Sequence, residues 1–266
     1  GLFVKESTFR ASPVEFAVSP DRYFDHLHRI KDSVNIPVIT SLNGKTLGGW
    51  LDYARAMQEA GADAIELNVF DVPMNEKLSA EDIEKEIVEM IREVRAQIRI
   101  PLAVKLSPFY TSLPHFGKRL IDSGADGLVL FNRFFESDID MSKKEIISHM
   151  RLSESRELLL RLRWLAILSG ILKDSHLAVT GGVHEPIDAV KSILCGANAV
   201  QLVASVLRNG PSYSRKMRDG LLEWMARNEV ESVDAIRGSM NILRSPNPDE
   251  FGRVNYMRGL QSFRRK

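Results

Sequence analysis

Apolar residues fall along this chain in two alternating textures. Short apolar runs predict buried strands near residues 2–4, 36–40, 63–68, 101–106, 127–131, 176–180 and 198–202. Between them lie amphipathic stretches with helical spacing. These are Trp50 to Ala60, a helix of about 16 residues after Ser79, Pro114 to Asp122, Ser155 to Gly170, Glu185 to Leu194, and Pro211 to Asn228. Ser79 as N-cap with Asp82 three places on resembles a capping box.

One unit recurs. "GADAIELN" (61–68), "GADGLVLFN" (124–132) and "GANAVQLV" (196–203) each close a helical stretch and open an apolar strand. Glycine there can supply the left-handed residue that stops a helix, and the apolar run behind it suits a strand covered on both faces. A second theme, "NIPVITSLNG" (35–44) and "RIPLAVKLSP" (99–108), places Pro at the strand start and polar residues at its end.

Strands alternating with helices of this length predict βαβ units around a parallel sheet. The fold expected is an α/β (β/α)8 TIM barrel. Seven strands are readable where eight are needed, and the chain opens without Met on "GLFVKEST". The expectation is therefore that a first strand and helix lie outside this sequence. An open doubly wound sheet is the alternative, but no early GxGxxG turn supports it. Residues 1–228 read as the barrel, and 229–266 as a C-terminal helix with an extended tail packed on it.

Composition narrows the function classes. A formal net charge of +1 argues against a nucleic-acid surface, and the basic end "SFRRK" is too short to change that. Cys195 is the only cysteine, set in an apolar run, so it reads as a buried structural residue without disulfide or thiolate cluster. No apolar run approaches the ~18 residues of a membrane span, and a cytoplasmic location is expected. His26 and His28 fall on a polar helix face, His115 opens a helix and His184 sits in a turn, so no metal constellation emerges.

In barrels of this type the active site lies at the C-terminal ends of the strands. Those ends carry Lys5, Ser41 and Asn43, Asn68, Lys105 and Ser107, Asn132 and Arg133, Thr180-Gly181-Gly182, and Ala204-Ser205. Two lysines and several amides at one mouth suit a planar, hydrogen-bonding, anionic ligand. "TGGVHEP" (180–186) follows a buried strand and precedes a helix, so its backbone N–H groups could cradle a phosphate, or it is simply a tight turn. Lys105 is expected to point into the mouth, where it serves a charge or forms a Schiff base. Asn68 and Asn132, at equivalent strand ends, either bind ligand or tie down loops.

Taken in order and spacing, "VKEST", "ELN", "AVKLSP", "TGG" and "LCGANAVQL" resemble the dihydroorotate dehydrogenase family of flavin barrels, specifically its soluble class 1. "SLNG…GGW", "LPHF", "LVLFNRF" and "RGSM" are similar to its bacterial dihydroorotate dehydrogenase-like branch. The resemblance implies FMN, held by Lys105, Ser41, Thr180, Gly181, Gly182 and the amides around Val203 and Ala204. It implies Lys5 near flavin and substrate, and Asn68 and Asn132 on a dihydropyrimidine-like substrate. Hydride would pass to flavin N5 while a base takes a proton, in the chemistry of pyrimidine biosynthesis. A homodimer is the assembly it implies, without nucleic acid or membrane. One branch of the family also carries iron–sulfur ligands on a partner subunit.

Two positions depart from the family pattern. After Asn68 the family runs N-x-[ST]-C/S-P-N, with cysteine or serine as base, whereas "VFDVP" puts Asp71 at the base position and Pro73 where the second asparagine stands. Val203-Ala204 replaces the usual Gly-Thr pair, leaving amides but no hydroxyl. A flavin- or phosphate-binding barrel without turnover, and a Schiff-base aldolase or lyase using Lys105, are the alternative readings.

Overall fold

The structure is a computed structural model that describes residues 20–43, 47–69, 72–133, 136–149, 151–173, 175–252 and 254–262. Its centre is a six-stranded, wholly parallel sheet made of β1 (Ile39–Leu42), β2 (Ala64–Asn68), β3 (Leu102–Leu106), β4 (Gly127–Leu130), β7 (His176–Thr180) and β8 (Ala199–Gln201). β5 (Glu136–Asp140) and β6 (Glu145–His149) form a separate antiparallel hairpin between β4 and β7. The six predicted strands among the described residues are all present. The one expected near 2–4 lies outside them.

Each parallel strand pairs with the next parallel strand along the chain, in the order β1-β2-β3-β4-β7-β8. That singly wound order belongs to a barrel; a doubly wound sheet reverses direction at a switch point. Curvature follows from a single contact. Gln201 Nε2 on β8 donates to Glu66 Oε2 on β2 at 2.5 Å. These strands are four places apart, which in a flat sheet would be about 19 Å at ~4.8 Å per strand. The sheet is a partial (β/α)8 barrel, with helices on its convex side.

The recurring Gly-Ala-Asp/Asn unit explains how successive strands are laid side by side. Gly61, Gly124 and Gly196 have φ of +87°, +107° and +115°. Each glycine N–H returns to the carbonyl three residues back, and the next alanine N–H to the carbonyl five back. This double closure ends the helix. The acidic or amide residue that follows then grips the preceding strand. Asp63 Oδ2 accepts from Val38 N (2.6 Å), Asp126 Oδ2 from Leu102 N (2.8 Å) and Asn198 Oδ1 from Leu177 N (2.9 Å). The Lys31 ammonium, and after it the Val38 N–H, hold the Asp63 carboxyl below its ordinary value. Three times, one tripeptide stops a helix and docks the next strand against its predecessor.

Helices α1 (Pro20–Ser33), α2 (Leu47–Glu59), α3 (Ala80–Gln97), α4 (Leu113–Asp122), α5 (Leu158–Ile171), α6 (Pro186–Leu194), α7 (Ala204–Asn209) and α8 (Tyr213–Arg227) complete the barrel units. The capping box at α3 is present as expected, with Asp82 N donating to Ser79 Oγ and Ser79 N to Asp82 Oδ2. Alternate strand residues Ile65, Leu67, Leu102, Val104, Leu106, Leu128, Leu130, Leu177 and Val179 are fully buried beneath these helices. Beyond α8 the chain crosses the helical layer. Gly238 and Met240 donate to the Ile193 and Leu194 carbonyls at the end of α6, and Ile242 to Ala166 in α5. The short helix α9 (Val233–Ile236) precedes this crossing, and two helical pieces, Pro248–Phe251 and α10 (Val254–Ser262), follow it.

Cys195 is buried at the end of α6, and desolvation pushes its thiol up to about 11. An unfolded cysteine titrates near ~8.5, so the unfolded state loses its proton first as pH rises. The stabilisation is fully present below that value and is lost as pH climbs towards the folded one. Iodoacetamide at pH 8 should alkylate the native protein at least about 100-fold more slowly than the urea-unfolded chain, because thiolate is the reactive form. Equal rates in a mass-spectrometric time course would contradict a buried thiol.

Candidate active site

Inward-pointing strand residues form two registered rows on the concave face. One runs Ser41, Glu66, Ala103, Gly127, His176, and the other Asn68, Lys105, Val129, Ala178, Ala199. Most are small, which leaves room over the sheet. Apart from His176 at the start of β7, the polar exceptions gather towards the C-terminal ends of the strands.

Glu66 is the hub. Its side chain is buried, and Lys105 Nζ lies 2.5 Å from its Oε1. Gln201 holds the other carboxylate oxygen, and Ser41 Oγ stands 3.5 Å from Oε1. One carboxylate thus joins side chains from four strands. Above it, Asn132 Nδ2 donates to Asn68 Oδ1 at 2.6 Å, tying the end of β4 to the end of β2. Asn132 Oδ1 in turn accepts from the Arg133 N–H at 3.1 Å.

The Thr180-Gly181-Gly182 turn has its own support. Both glycines have positive φ, +81° and +80°. Arg161, buried in α5, donates from Nε to the Thr180 carbonyl at 2.5 Å and from Nη1 to the Glu157 carbonyl at 2.7 Å. A Cβ on Gly181 would sit 2.8 Å from Arg161 Nη2, so the guanidinium lies directly under the turn. Burial pulls the Arg161 guanidinium below its ordinary value; the Glu157 carboxylate opposes this and Arg133 reinforces it. Arg133 itself pairs with Glu157 at 3.1 Å. Gly182 N donates to the buried Ser153 Oγ, which also contacts His184 Nε2 at 3.1 Å. At α6, Asp188 Oδ2 accepts from the N–H groups of His184 and Glu185.

The expected site residues divide into three groups. Ser41, Asn68, Lys105 and Asn132 share the concave mouth. Thr180, Gly181 and Gly182 form the turn over Arg161, while Val203 caps α7 with its side chain exposed and Ala204 begins that helix. Lys5 and Asp71 lie outside the described residues. Glu66, Gln201 and Arg161 were not anticipated.

The model of the dihydroorotate dehydrogenase family matches residues 20–225, from the start of α1 to within α8. The chain belongs to the dihydroorotate dehydrogenase family. It is accordingly an enzyme of the oxidoreductase class. Among relatives, a dihydroorotate dehydrogenase B (NAD(+)) catalytic subunit from Endomicrobium trichonymphae is 26% identical over 218 residues, covering 80% of this chain and 70% of the relative. The corresponding subunit from Geobacter sp. (strain M21) is 29% identical over 219 residues, covering 79% and 70%. A putative dihydroorotate dehydrogenase A (fumarate) from Aeropyrum pernix is 28% identical over 212 residues, covering 78% and 68%. Every strand of this dihydroorotate dehydrogenase-family sheet, with its polar mouth, falls inside the matched span. Among the described residues no helix is long and apolar enough to cross a membrane, and no group of three or more His, Cys, Asp or Glu could hold a metal ion.

Proposed function

We propose that this protein is an FMN-dependent oxidoreductase acting on a dihydropyrimidine-like substrate at the concave mouth. One observation carries the reading. In a member of this family, two amides 2.6 Å apart and an ion-paired lysine converge over a face on which small residues predominate. When bound, FMN would supply the two-electron acceptor, taking hydride at N5.

The residues present suit that group. Small side chains along the concave rows let a flat ring approach the sheet. Arg161 places positive charge behind the Thr180–Gly182 backbone, answered within the barrel wall chiefly by Glu157. Ser205 Oγ, one residue beyond Ala204, is buried without a hydrogen-bond partner among the described residues. Lys105 and Ser41 would face the ring, while Gly181 and the amides of Val203 and Ala204 would hold the phosphate; Gly182, whose N–H is taken by Ser153 Oγ, would contribute the close approach of its side-chain-free backbone. Asn68 and Asn132 suit the alternating donors and acceptors of a pyrimidine edge, since each amide offers both. Lys5 is proposed beside flavin and substrate.

Asp71 is proposed as the base. Its carboxylate can accept a proton without prior activation, although its reference pKa near ~3.9 makes it weak unless its surroundings raise it. The Schiff-base alternative is disfavoured by the ion pair. A lysine must reach a carbonyl carbon to attack it, and Lys105 Nζ is held 2.5 Å from Glu66 Oε1. We further take residues 1–228 as the barrel and 229–266 as an extension packed on it, working as a cytoplasmic homodimer.

Anaerobic titration of FMN-loaded protein with dihydroorotate and other dihydropyrimidines tests the reading. Flavin bleaching is the expected result, with the rate falling about 10²–10⁴-fold in Asp71→Asn, the usual cost of losing a general base. Protein that takes up no FMN would sink the proposal. Bleaching at an unchanged rate in Asp71→Asn would remove only the base assignment. Flavin uptake with no bleaching by any dihydropyrimidine would favour a binding protein without turnover, which the departures at Asp71 and Pro73 also suit.

A further inference from the structure

We propose that Glu66 is a positioning residue that fixes Lys105 and offsets its charge. It thereby sets how strongly the mouth favours reduced over oxidised flavin. The inference rests on the FMN reading above, and nothing in the family comparison assigns a role to this carboxylate.

A buried carboxylate on a barrel's concave face is costly unless it is paired, and Glu66 is paired more fully than stability alone would ask. It takes the Lys105 ammonium on Oε1 and the Gln201 amide on Oε2, both at 2.5 Å. Those partners reach it from β3 and β8, so the carboxylate cannot swing away from the lysine without abandoning the amide. Lys105 is correspondingly fixed. Its four-carbon stem would otherwise sample many rotamers, and the ion pair selects one.

The same contact determines the charge that a ligand meets. An unpaired lysine presents a full positive charge, whereas the Lys105–Glu66 pair is neutral overall and presents a dipole. Two-electron reduction of a flavin adds negative charge to the ring system, so a nearby cation favours the reduced form and an anion beside that cation diminishes the preference. Charges a few ångströms apart at an effective dielectric of ~20 interact strongly enough to change a binding constant tenfold. Glu66 therefore holds the preference for reduced flavin down.

The test compares dissociation constants for oxidised and reduced FMN in the wild type, Glu66→Gln, Glu66→Asp, Lys105→Met and the Glu66→Gln/Lys105→Met double variant. Glutamine keeps the shape and the acceptor for Lys105 and removes the charge. In Glu66→Gln the ratio of oxidised to reduced dissociation constants should rise about tenfold, equivalent to ~30 mV for a two-electron couple. Glu66→Asp should give a smaller rise of the same sign. Lys105→Met should lower the ratio and Glu66→Gln should raise it in either background, opposite signs that follow from removing opposite charges and that a merely structural role would not predict. A Glu66→Gln ratio within twofold of wild type, or Lys105→Met and Glu66→Gln moving the ratio in the same direction, overturns the inference. If Glu66→Gln does not fold, an unchanged ratio in Glu66→Asp does so. Wild-type protein that binds no FMN removes the inference together with the flavin reading, an outcome distinct from bound flavin with an unmoved ratio.

Discussion

Lys105→Met should lower the unfolding free energy by about 3 kcal/mol, at the low end of the ~3–5 kcal/mol typical for stripping one partner from a buried ion pair. The low end is expected because Gln201 still donates to the stranded Glu66 carboxylate. Both side chains are largely shielded, at 17% and 8% exposure, so solvent cannot take over the lysine's role. Urea unfolding monitored by circular dichroism gives the number. The companion variant Lys105→Met/Glu66→Leu should recover most of the loss, since removing both charges leaves nothing unpaired. FMN affinity should remain poor in both. A single variant as stable as wild type would mean that Glu66 finds its compensation elsewhere.

Gly182→Ala should be the most damaging small substitution in the barrel wall, at about 2–5 kcal/mol. About 1–2 kcal/mol comes from forcing an L-residue into a left-handed conformation, here φ +80°. The remainder, about 1–3 kcal/mol, is overpacking. The new Cβ would overlap the Leu158 backbone nitrogen and lie 2.9 Å from its Cα, and main-chain atoms in the first turn of α5 cannot step aside as a flexible side chain could. Gly61→Ala is the control. It shares a positive φ of +87° but meets nothing within 4 Å, so it should cost only the conformational part. Thermal denaturation of the two variants separates the contributions, and equal losses would argue against the close packing of α5 under the glycine turn.

The barrel was legible largely because its punctuation is local. Each Gly-Ala-Asp/Asn unit announces a helix end and a strand start within three residues, and the structure uses all three residues for that purpose. The hairpin Glu136–His149 was not legible. Its strands "ESDID" and "EIISH" carry too few apolar residues to show an alternation, and its turn holds no glycine or asparagine. The turn is made by Asp140, whose carboxylate accepts from the Ser142 and Lys143 N–H groups, with Lys144 at φ +54°.

The site was legible at the strand ends and obscure one layer below. Asn68, Lys105 and Asn132 stand out because polar residues there interrupt apolar runs. Glu66 carried the same period-two signal as Asn68, since residues two apart share a face. Embedded between Ile65 and Leu67, it read as part of the strand instead. Gln201, within "NAVQLV", was hidden in the same way. Arg161 could not be singled out, because α5 is apolar on every side and has two arginines two residues apart. Burial of Arg161 depends on where the Thr180–Gly182 turn comes to rest, a tertiary fact with no local trace.

The Glu66 hub also constrains the order of assembly. Lys105 follows it by 39 residues and Gln201 by 135. Loop closure is entropically cheaper for the nearer partner, so the ion pair is available as soon as β2 and β3 meet. The amide arrives only once β7 and β8 have been laid down. Until then the carboxylate sits on an unfinished sheet, half neutralised and open to water. On the ribosome, where the chain emerges from its N-terminal side, the last-made strand carries the donor that completes the set. The mouth is therefore the final part of the molecule to acquire its electrostatic character.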